Sequence, residues 1–330
     1  MSNFYHGRRV LITGGLGFIG SNLAIELQQR GARLTLLDSM IPAYGACLEN
    51  IEPIRNAVTV NFSDVRDHHS LAYLVRDQEV IFSLAGQVSH IDSMHEPLVD
   101  LDINCRSQLS LLECCRRENP GVRLVLASTR QIYGKPQFLP VTEEHPIAPT
   151  DINGINKWAA EMYFTLYAQV HGMSTVSLRL TNTYGPRMDL RNSKKGFVGV
   201  FIQQALSGQS IRIFGTGTQR RDFYYVSDVV QALALVGESH SFCGQSFNLG
   251  HDEHFTLRGF VELLSEQCPV NFEIIPFPDE LRAIDIGDYF ADYSRFRAVT
   301  GWRPRVGLSE GLQRTILYYR HYRQSIETVA

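Results

Sequence analysis

The sequence predicts an α/β fold: a doubly wound parallel sheet, carrying a smaller α/β lobe on its C-terminal side. Two patterns lead there. Short apolar runs alternate with longer stretches at helical spacing, and those runs are continuously apolar rather than alternating. Continuous apolar strands separated by helices belong to a parallel sheet covered on both faces. In order, Val10-Leu11-Ile12 reads as a buried strand. Phe18 to Arg30 reads as a helix with Ile19, Leu23 and Leu27 on one face. Strands follow at Leu34–Leu37, Val58–Val60, Val80–Leu84 and Leu124–Leu126, with helical stretches between them, including Leu101 to Asn119. After about residue 180 the strands shorten, as at Ile211–Phe214, and Gly and Pro scatter. The expected division is 1–180 for the sheet domain and 181–330 for the smaller lobe, with segments interleaved.

Composition narrows the classes. The chain has 330 residues, 44% hydrophobic and 20% charged, enough for a substantial core. Its formal net charge of −3 lacks the basic excess of a non-specific nucleic-acid binder. No apolar run approaches the roughly 20 residues that span a bilayer, and the N-terminus runs straight into a strand without a secretory pattern. The six cysteines include no Cys-x-x-Cys pair, so neither a disulfide scaffold nor structural zinc is expected. Reduced cysteines fit a cytoplasmic protein.

The segment Thr13-Gly14-Gly15-Leu16-Gly17-Phe18-Ile19-Gly20-Ser21 places Gly14, Gly17 and Gly20 between a strand and a helix. Gly14 permits the tight turn, Gly17 lets backbone approach a pyrophosphate, and Gly20 lets the helix pack on the strand. The helix start offers free N–H groups and a positive dipole end. Asp38, followed by Ser39, ends the second strand, where a carboxylate binds both ribose hydroxyls and repels a 2′-phosphate. NAD is therefore favoured over NADP. This is a Rossmann-type dinucleotide site.

This glycine spacing resembles the extended branch of the short-chain dehydrogenase/reductase superfamily, which contains nucleotide-sugar epimerases, dehydratases and decarboxylases. The resemblance runs through nearly the whole chain: Asp64-Val65, Leu84-Ala85-Gly86, Asn104, Ser128-Thr129 with Ile132-Tyr133-Gly134, Arg179 to Pro186, and Gly215 to Phe223 with Val226 and Asp228. It implies that Asp64 and Val65 contact adenine, that Leu84, Ala85, Gly86 and Asn104 wall the cofactor site, and that the substrate is a nucleotide-diphosphate sugar. By the same resemblance Ser89 and Asn182 contact the substrate, and Arg221 and Arg282 neutralise its diphosphate. Surface ion pairs with Asp222, or with Asp285 and Asp288, are the plainer reading of the two arginines. Phe197 and Val198 could form the base pocket or simply be core. The resemblance also implies a homodimer through two helices of each subunit. Trp158, Tyr163, Phe164 and Tyr167 are candidates for that face.

The catalytic segment departs from the family. Its usual trio is Ser or Thr, then Tyr and Lys four residues apart. The phenolate removes a sugar hydroxyl proton while the lysine lowers the phenol pKa and holds the nicotinamide ribose. Here Thr129 and Lys157 stand in place, but the position four before Lys157 is Asn153. Residues four apart share a helical face, so Asn153 is expected to point where the phenol points. An amide is no general base near neutral pH. Three explanations stand: another group moves the proton (Lys157, Tyr133, Asp151 or a water held by Thr129 and Asn153), the site is disabled, or the chemistry needs no phenol. The family's dehydratases place Asp and Glu after this Thr, and its decarboxylases usually keep the Glu. Here Arg130 and Gln131 occupy those positions, and neither shuttles protons at neutral pH. Epimerisation at C4 through a transient keto sugar is least contradicted. Arg130 could bind a sugar carboxylate or pair with Glu143 or Glu144. A non-catalytic binder of NAD and sugar nucleotides is the reading from a different class.

Overall fold

In a computed structural model, which describes residues 3–191, 196–278 and 285–329, a seven-stranded parallel sheet carries helices on both faces. Its strands are β1 (Arg9–Thr13), β2 (Arg33–Leu37), β3 (Thr59–Asn61), β4 (Val80–Ser83), β5 (Arg123–Thr129), β6 (Ser174–Leu180) and β10 (Gln245–Asn248); the intervening β7 (Asn182–Tyr184), β8 (Ile211–Phe214) and β9 (Arg220–Tyr225) lie outside it. They run in the order β10-β6-β5-β4-β1-β2-β3. Every pairing is parallel, including β1 with β2 and β1 with β4. Strand order therefore reverses at β1, and the crevice beyond its C-terminal end is where such sheets bind ligands.

One face is covered by α1 (Phe18–Gln29) and α8 (Val226–Gly237), the other by α2 (His68–Leu74), α5 (Ser107–Glu118) and α6 (Ile152–His171). Asp151 caps α6 by accepting the Gly154 N–H at 2.7 Å, and Gly172 ends it in the left-handed region at φ +65°. The predicted helix from Leu101 instead starts as a short turn at Pro97–Leu101, and its next stretch, Asp102–Arg106, is wound as a π turn. Such widened turns recur at functional sites, and Asn104 sits on this one. Between β2 and β3 the helical stretches are of the tighter 3-10 kind, at Pro42–Tyr44 and Leu48–Ala57; Pro53 lies inside the second and denies it one backbone donor.

The second lobe gathers β7 (Asn182–Tyr184), α7 (Phe197–Leu206), β8 (Ile211–Phe214), β9 (Arg220–Tyr225), β11 (His254–Thr256), α9 (Leu257–Gln267) and β12 (Phe272–Ile275). Its own core packs Phe201, Ile202, Phe223, Phe260 and Leu264. The chain leaves the large sheet after β6 and returns to it at β10.

A buried ion pair fixes the strand end that the site uses. Glu161 of α6 accepts from Ser128 Oγ at 2.6 Å and from Arg179 Nη2 at 2.5 Å, tying α6 to β5 and β6 beside Thr129. Both side chains are almost fully enclosed, so their charges are compensated by each other and by hydrogen bonds. The aromatic residues expected at a subunit face are largely spent inside the chain: Phe164 and Tyr167 are buried under the sheet with Tyr163 packed against them, and Trp158 packs beside Tyr133 and Tyr289. What α6 exposes is a different stripe, Ile155, Met162, Leu166 and Val170.

Candidate active site

The glycine turn is built against both neighbouring strands. Gly14 N–H bonds Leu37 O at 2.8 Å, and Gly17 N–H bonds Gly14 O at 3.1 Å. Gly14 has φ +70°, and a Cβ there would lie 2.8 Å from Ala85 N, so glycine is required on both counts. Asp38 reaches back to this turn. Its Oδ2 accepts the Leu16 N–H at 3.1 Å and its Oδ1 the Met40 N–H at 3.0 Å. Burial raises the Asp38 pKa, against the pull of those two N–H groups.

Gly14, Gly17, Phe18, Ile19, Gly20, Asp38, Ser39, Asp64, Val65, Leu84, Ala85 and Gly86 all line one cleft at the C-terminal edge of the sheet. Tyr44, Val88 and Ile103 line it too, and Thr183, Met188 and Asp189 of the second lobe close its other side. The sequence reading missed these residues, which approach only through tertiary packing. Asp64 is held by Arg66, whose hydrogen bond lowers the carboxyl pKa despite partial burial.

Behind Gly86 of the cleft wall lies a polar hub. Asp100, fully buried, accepts three amide donors: Asn104 at 3.0 Å and Asn153 at 3.0 Å on Oδ2, and Asn156 at 2.8 Å on Oδ1. Asn104 and Asn153 also donate to Gln87 O, at 2.9 and 2.8 Å. Asn153 is 1% exposed and its amide is committed to Asp100 and to Gln87 O. Its amide serves a buried carboxylate, a stronger demand than that of the open cleft. Lys157 lies beside this hub. Burial brings its pKa down to about 8, and the Asp100 charge limits the fall. A Cβ on Gly86 would come within 2.7 Å of Lys157 Nζ and 2.9 Å of Asn104 Oδ1, so this residue too leaves room where the two polar groups converge. Asn104 Oδ1 is buried without a hydrogen-bond partner. A glycine-lined cradle, an acid at the end of β2 and an orphaned acceptor beside a lysine fit the hydroxyl-rich, anionic frame of a dinucleotide.

At the end of β5, Thr129 Oγ1 accepts the Gln131 N–H at 3.2 Å. Arg130 does not pair with Glu143 or Glu144. Glu143 accepts the Asn248 N–H at 2.9 Å instead, while the Arg130 guanidinium lies 5.1 Å over the Tyr289 ring and has no carboxylate partner among the described residues. Ser89 is buried and its hydroxyl accepts the Asp92 N–H, capping the short helix α3 (His90–His95). His90 is in hydrogen-bond contact with Asp151 through Nδ1, and the Gln131 side-chain nitrogen lies in contact with Nε2 and 3.1 Å from Nδ1. Tyr133 is fully buried between Asn248 and Arg179, and burial raises its phenol to about 12.

From the second lobe, Asn182 donates to Asp222 O at 3.0 Å. Arg221 is 6% exposed rather than a surface residue. It donates to Arg220 O and Gly287 O, keeps 3.9 Å from Asp285, and leaves its Nε buried without a partner. Burial and the nearby Arg130 charge lower its pKa to about 10. Val198 is part of the second-lobe core, and the half-buried Phe197 packs on it edge-on against Phe201, Phe223 and Phe260. Arg282 lies outside the described residues. Among the described residues no helix is long and apolar enough to cross a membrane.

A family model described as the NAD dependent epimerase/dehydratase family matches residues 10–250. The UDP-glucose 4-epimerase of Mycolicibacterium smegmatis is 31% identical over 321 residues, spanning 96% of this chain and 100% of its own. The UDP-glucuronic acid decarboxylase 1 of Xenopus tropicalis is 32% identical over 318 residues, spanning 95% of this chain and 72% of its own. The crystal structure of a UDP-glucose 4-epimerase from Thermotoga maritima with UDP-glucose is 30% identical, with a TM-score of 0.87 over 95% of this chain and 99% of that one. With a Rossmann-type sheet, a glycine turn at its switch point and this match over most of its length, the chain belongs to the NAD-dependent epimerase/dehydratase family of nucleotide-sugar enzymes.

Proposed function

We propose that the protein is a nucleotide-sugar 4-epimerase that keeps NAD bound through each turnover. The observation that carries this is the end of β5, where Thr129 is followed directly by Arg130 and Gln131. Elimination of water needs an acid and a base beside the sugar, and neither side chain moves a proton near neutral pH. Epimerisation needs only reversible oxidation at one carbon. NAD, when bound, supplies the two-electron acceptor. Gly14, Gly17, Phe18, Ile19 and Gly20 would hold its pyrophosphate and Asp38 with Ser39 its adenosine ribose. Asp64 and Val65 would meet the adenine, and Leu84, Ala85, Gly86, Asn104 and Lys157 the nicotinamide half. Thr129 would bond the reacting hydroxyl. Ser89, Gln131, Asn182 and Arg221 would orient the sugar diphosphate, with Arg282 as its second cation.

A second reading is favoured by Arg130. A guanidinium over an aromatic ring, repelled by Arg221 and lacking a carboxylate partner among the described residues, suits a nucleotide uronate. Incubation with a panel of neutral and uronate nucleotide sugars, followed by NMR, tests both. Inversion at C4 supports the epimerase and loss of the carboxyl carbon the decarboxylase. Tight binding without turnover of any sugar supports a binding protein. We also read the protein as a cytoplasmic homodimer, supported by its six unbridged cysteines and the apolar stripe Ile155, Met162, Leu166 and Val170 along α6.

Two variants check the site. Asp38→Ala removes the anchor of the Leu16 N–H and the ribose acceptor together. NAD binding, followed by titration calorimetry, should weaken about tenfold and the preference over NADP should narrow. Asn153→Tyr forces a phenol into a buried site and takes a donor from Asp100. Stability in a denaturant melt should fall by about 1–3 kcal/mol, and turnover should not rise. A gain of turnover at unchanged stability would instead identify a disabled tyrosine site.

A further inference from the structure

Resting on the reading above as a nucleotide-sugar redox enzyme, we propose that His90, oriented by Asp151, is the proton acceptor and donor that replaces the missing phenol. The candidate groups thin out one by one. Asn153 is turned to Asp100 and Gln87. Tyr133 is fully buried, with its hydroxyl donating to Asn248 Oδ1 and accepting from Arg179. Lys157 Nζ lies under Gly86 beside Asn104, next to the carboxylate of Asp100 that bonds Asn104. Asp151 has one oxygen on the Gly154 N–H and the other on His90. The His90 side chain remains, 33% exposed beside a nearly enclosed carboxylate.

The arrangement suits a base. Nδ1–H donates to Asp151 Oδ2, which selects the tautomer with its lone pair on Nε2. The Gln131 side-chain nitrogen lies against the same ring, in contact with Nε2 and 3.1 Å from Nδ1. The Gln131 backbone N–H in turn bonds the Thr129 hydroxyl, so one residue links the imidazole to the end of β5. A carboxylate that fixes the tautomer and steadies the imidazolium is the same division of labour as in hydrolase triads. Asp151 fits the role. Burial alone would raise its pKa, but the His90 hydrogen bond and charge bring it below the ordinary carboxylate value. With NAD bound as the two-electron acceptor, the sugar hydroxyl would give its proton to Nε2 and its carbon a hydride to that acceptor, leaving a carbonyl. The same hydride would then return to the carbon on the other face of the sugar while the imidazolium gives its proton back to the oxygen, so nothing is consumed.

The test combines spectroscopy with kinetics. In protein carrying ¹⁵N-histidine, the resonances lost in His90→Gln identify His90. They should report the Nδ1–H tautomer, and Asp151→Asn, which keeps a helix cap, should abolish that bias. Turnover of whichever nucleotide sugar the wild type accepts should fall about 10²–10⁴-fold in His90→Gln, with NAD affinity within about twofold. Added imidazole should restore activity to His90→Gly. Turnover of His90→Gln within about threefold of wild type would overturn the proposal. If the wild type acts on no nucleotide sugar, the redox reading itself fails. The tautomer measurement then decides the His90–Asp151 pair alone, and a tautomer indifferent to Asp151→Asn overturns it.

Discussion

Asp100→Asn is expected to lower the unfolding free energy by about 3–5 kcal/mol, although the two side chains are nearly isosteric. Asp100 is fully buried and accepts from Asn104, Asn153 and Asn156. An asparagine has one acceptor oxygen and one donor nitrogen, so its NH₂ must face at least one of those amide donors. Each donor left unpaired in such a site costs about 1–3 kcal/mol. The variant also strips Lys157 of the charge that limits its loss of basicity. The folded pKa of Lys157, about 8, lies below its unfolded value near 10.5, so between them the unfolded chain binds more protons and stability rises with pH. Without Asp100 that window opens at lower pH. The deficit of Asp100→Asn relative to wild type, read in denaturant melts, should therefore narrow from about pH 7 to about pH 9. A deficit below about 1 kcal/mol, or one that does not change with pH, would mean that the hub does not hold the lysine.

The difference between Gly14 and Asp100 shows what the sequence carries openly. Gly14, Gly17 and Gly20 lie within one turn, and their spacing between a strand and a helix reports a local geometry that only glycine satisfies. Asp38 and Leu84-Ala85-Gly86 are equally legible because each follows an apolar strand directly, so sheet topology alone brings them to β1. Asp100 gives no such signal. An acid in the stretch Pro97–Leu101 reads as a solvated helix face, and its partners Asn153 and Asn156 are more than fifty residues away. One hint existed: two amides in the first turns of a helix, beside Lys157, are costly unless something buried accepts from them. Asn153 was legible as a departure from the tyrosine pattern but its partners were not, because helical periodicity gives a face and not the distant groups, Asp100 and Gln87, that bond the side chain. The His90–Asp151 contact joins two loop ends sixty-one residues apart, and a lone histidine after a strand does not reveal it. Arg130 shows the opposite error. Glu143 and Glu144 are close in sequence, yet Glu143 turns to the Asn248 N–H and the guanidinium goes to an aromatic face.

Gly20→Ala is expected to cost about 100-fold in NAD affinity, roughly 3 kcal/mol, together with a stability loss of about 1–3 kcal/mol. A methyl at residue 20 would sit 2.0 Å from Gly14 O, 2.8 Å from Gly14 C and 3.0 Å from Gly15 Cα, all of them backbone atoms. No side chain can swing aside to relieve it. The Gly14 carbonyl is itself the acceptor of the Gly17 N–H, so moving it breaks the turn that presents N–H groups to a pyrophosphate. The alternative is to push α1 outward, but Leu23, Ala24 and Leu27 of that helix are fully buried against the sheet, and a shift would open cavities there. Gly17→Ala is the informative contrast. Its methyl would meet only Gly14 O, at 3.3 Å, so thermal unfolding should stay near wild type while the methyl fills space on the cleft side. If the two variants lose NAD binding but only Gly20→Ala loses stability, the glycines divide as the geometry says, Gly17 for ligand approach and Gly20 for helix packing. If Gly20→Ala keeps both the melting temperature and the NAD affinity, the close approach of α1 to the first turn is not what holds the site, and the assignment of this crevice to the dinucleotide falls with it.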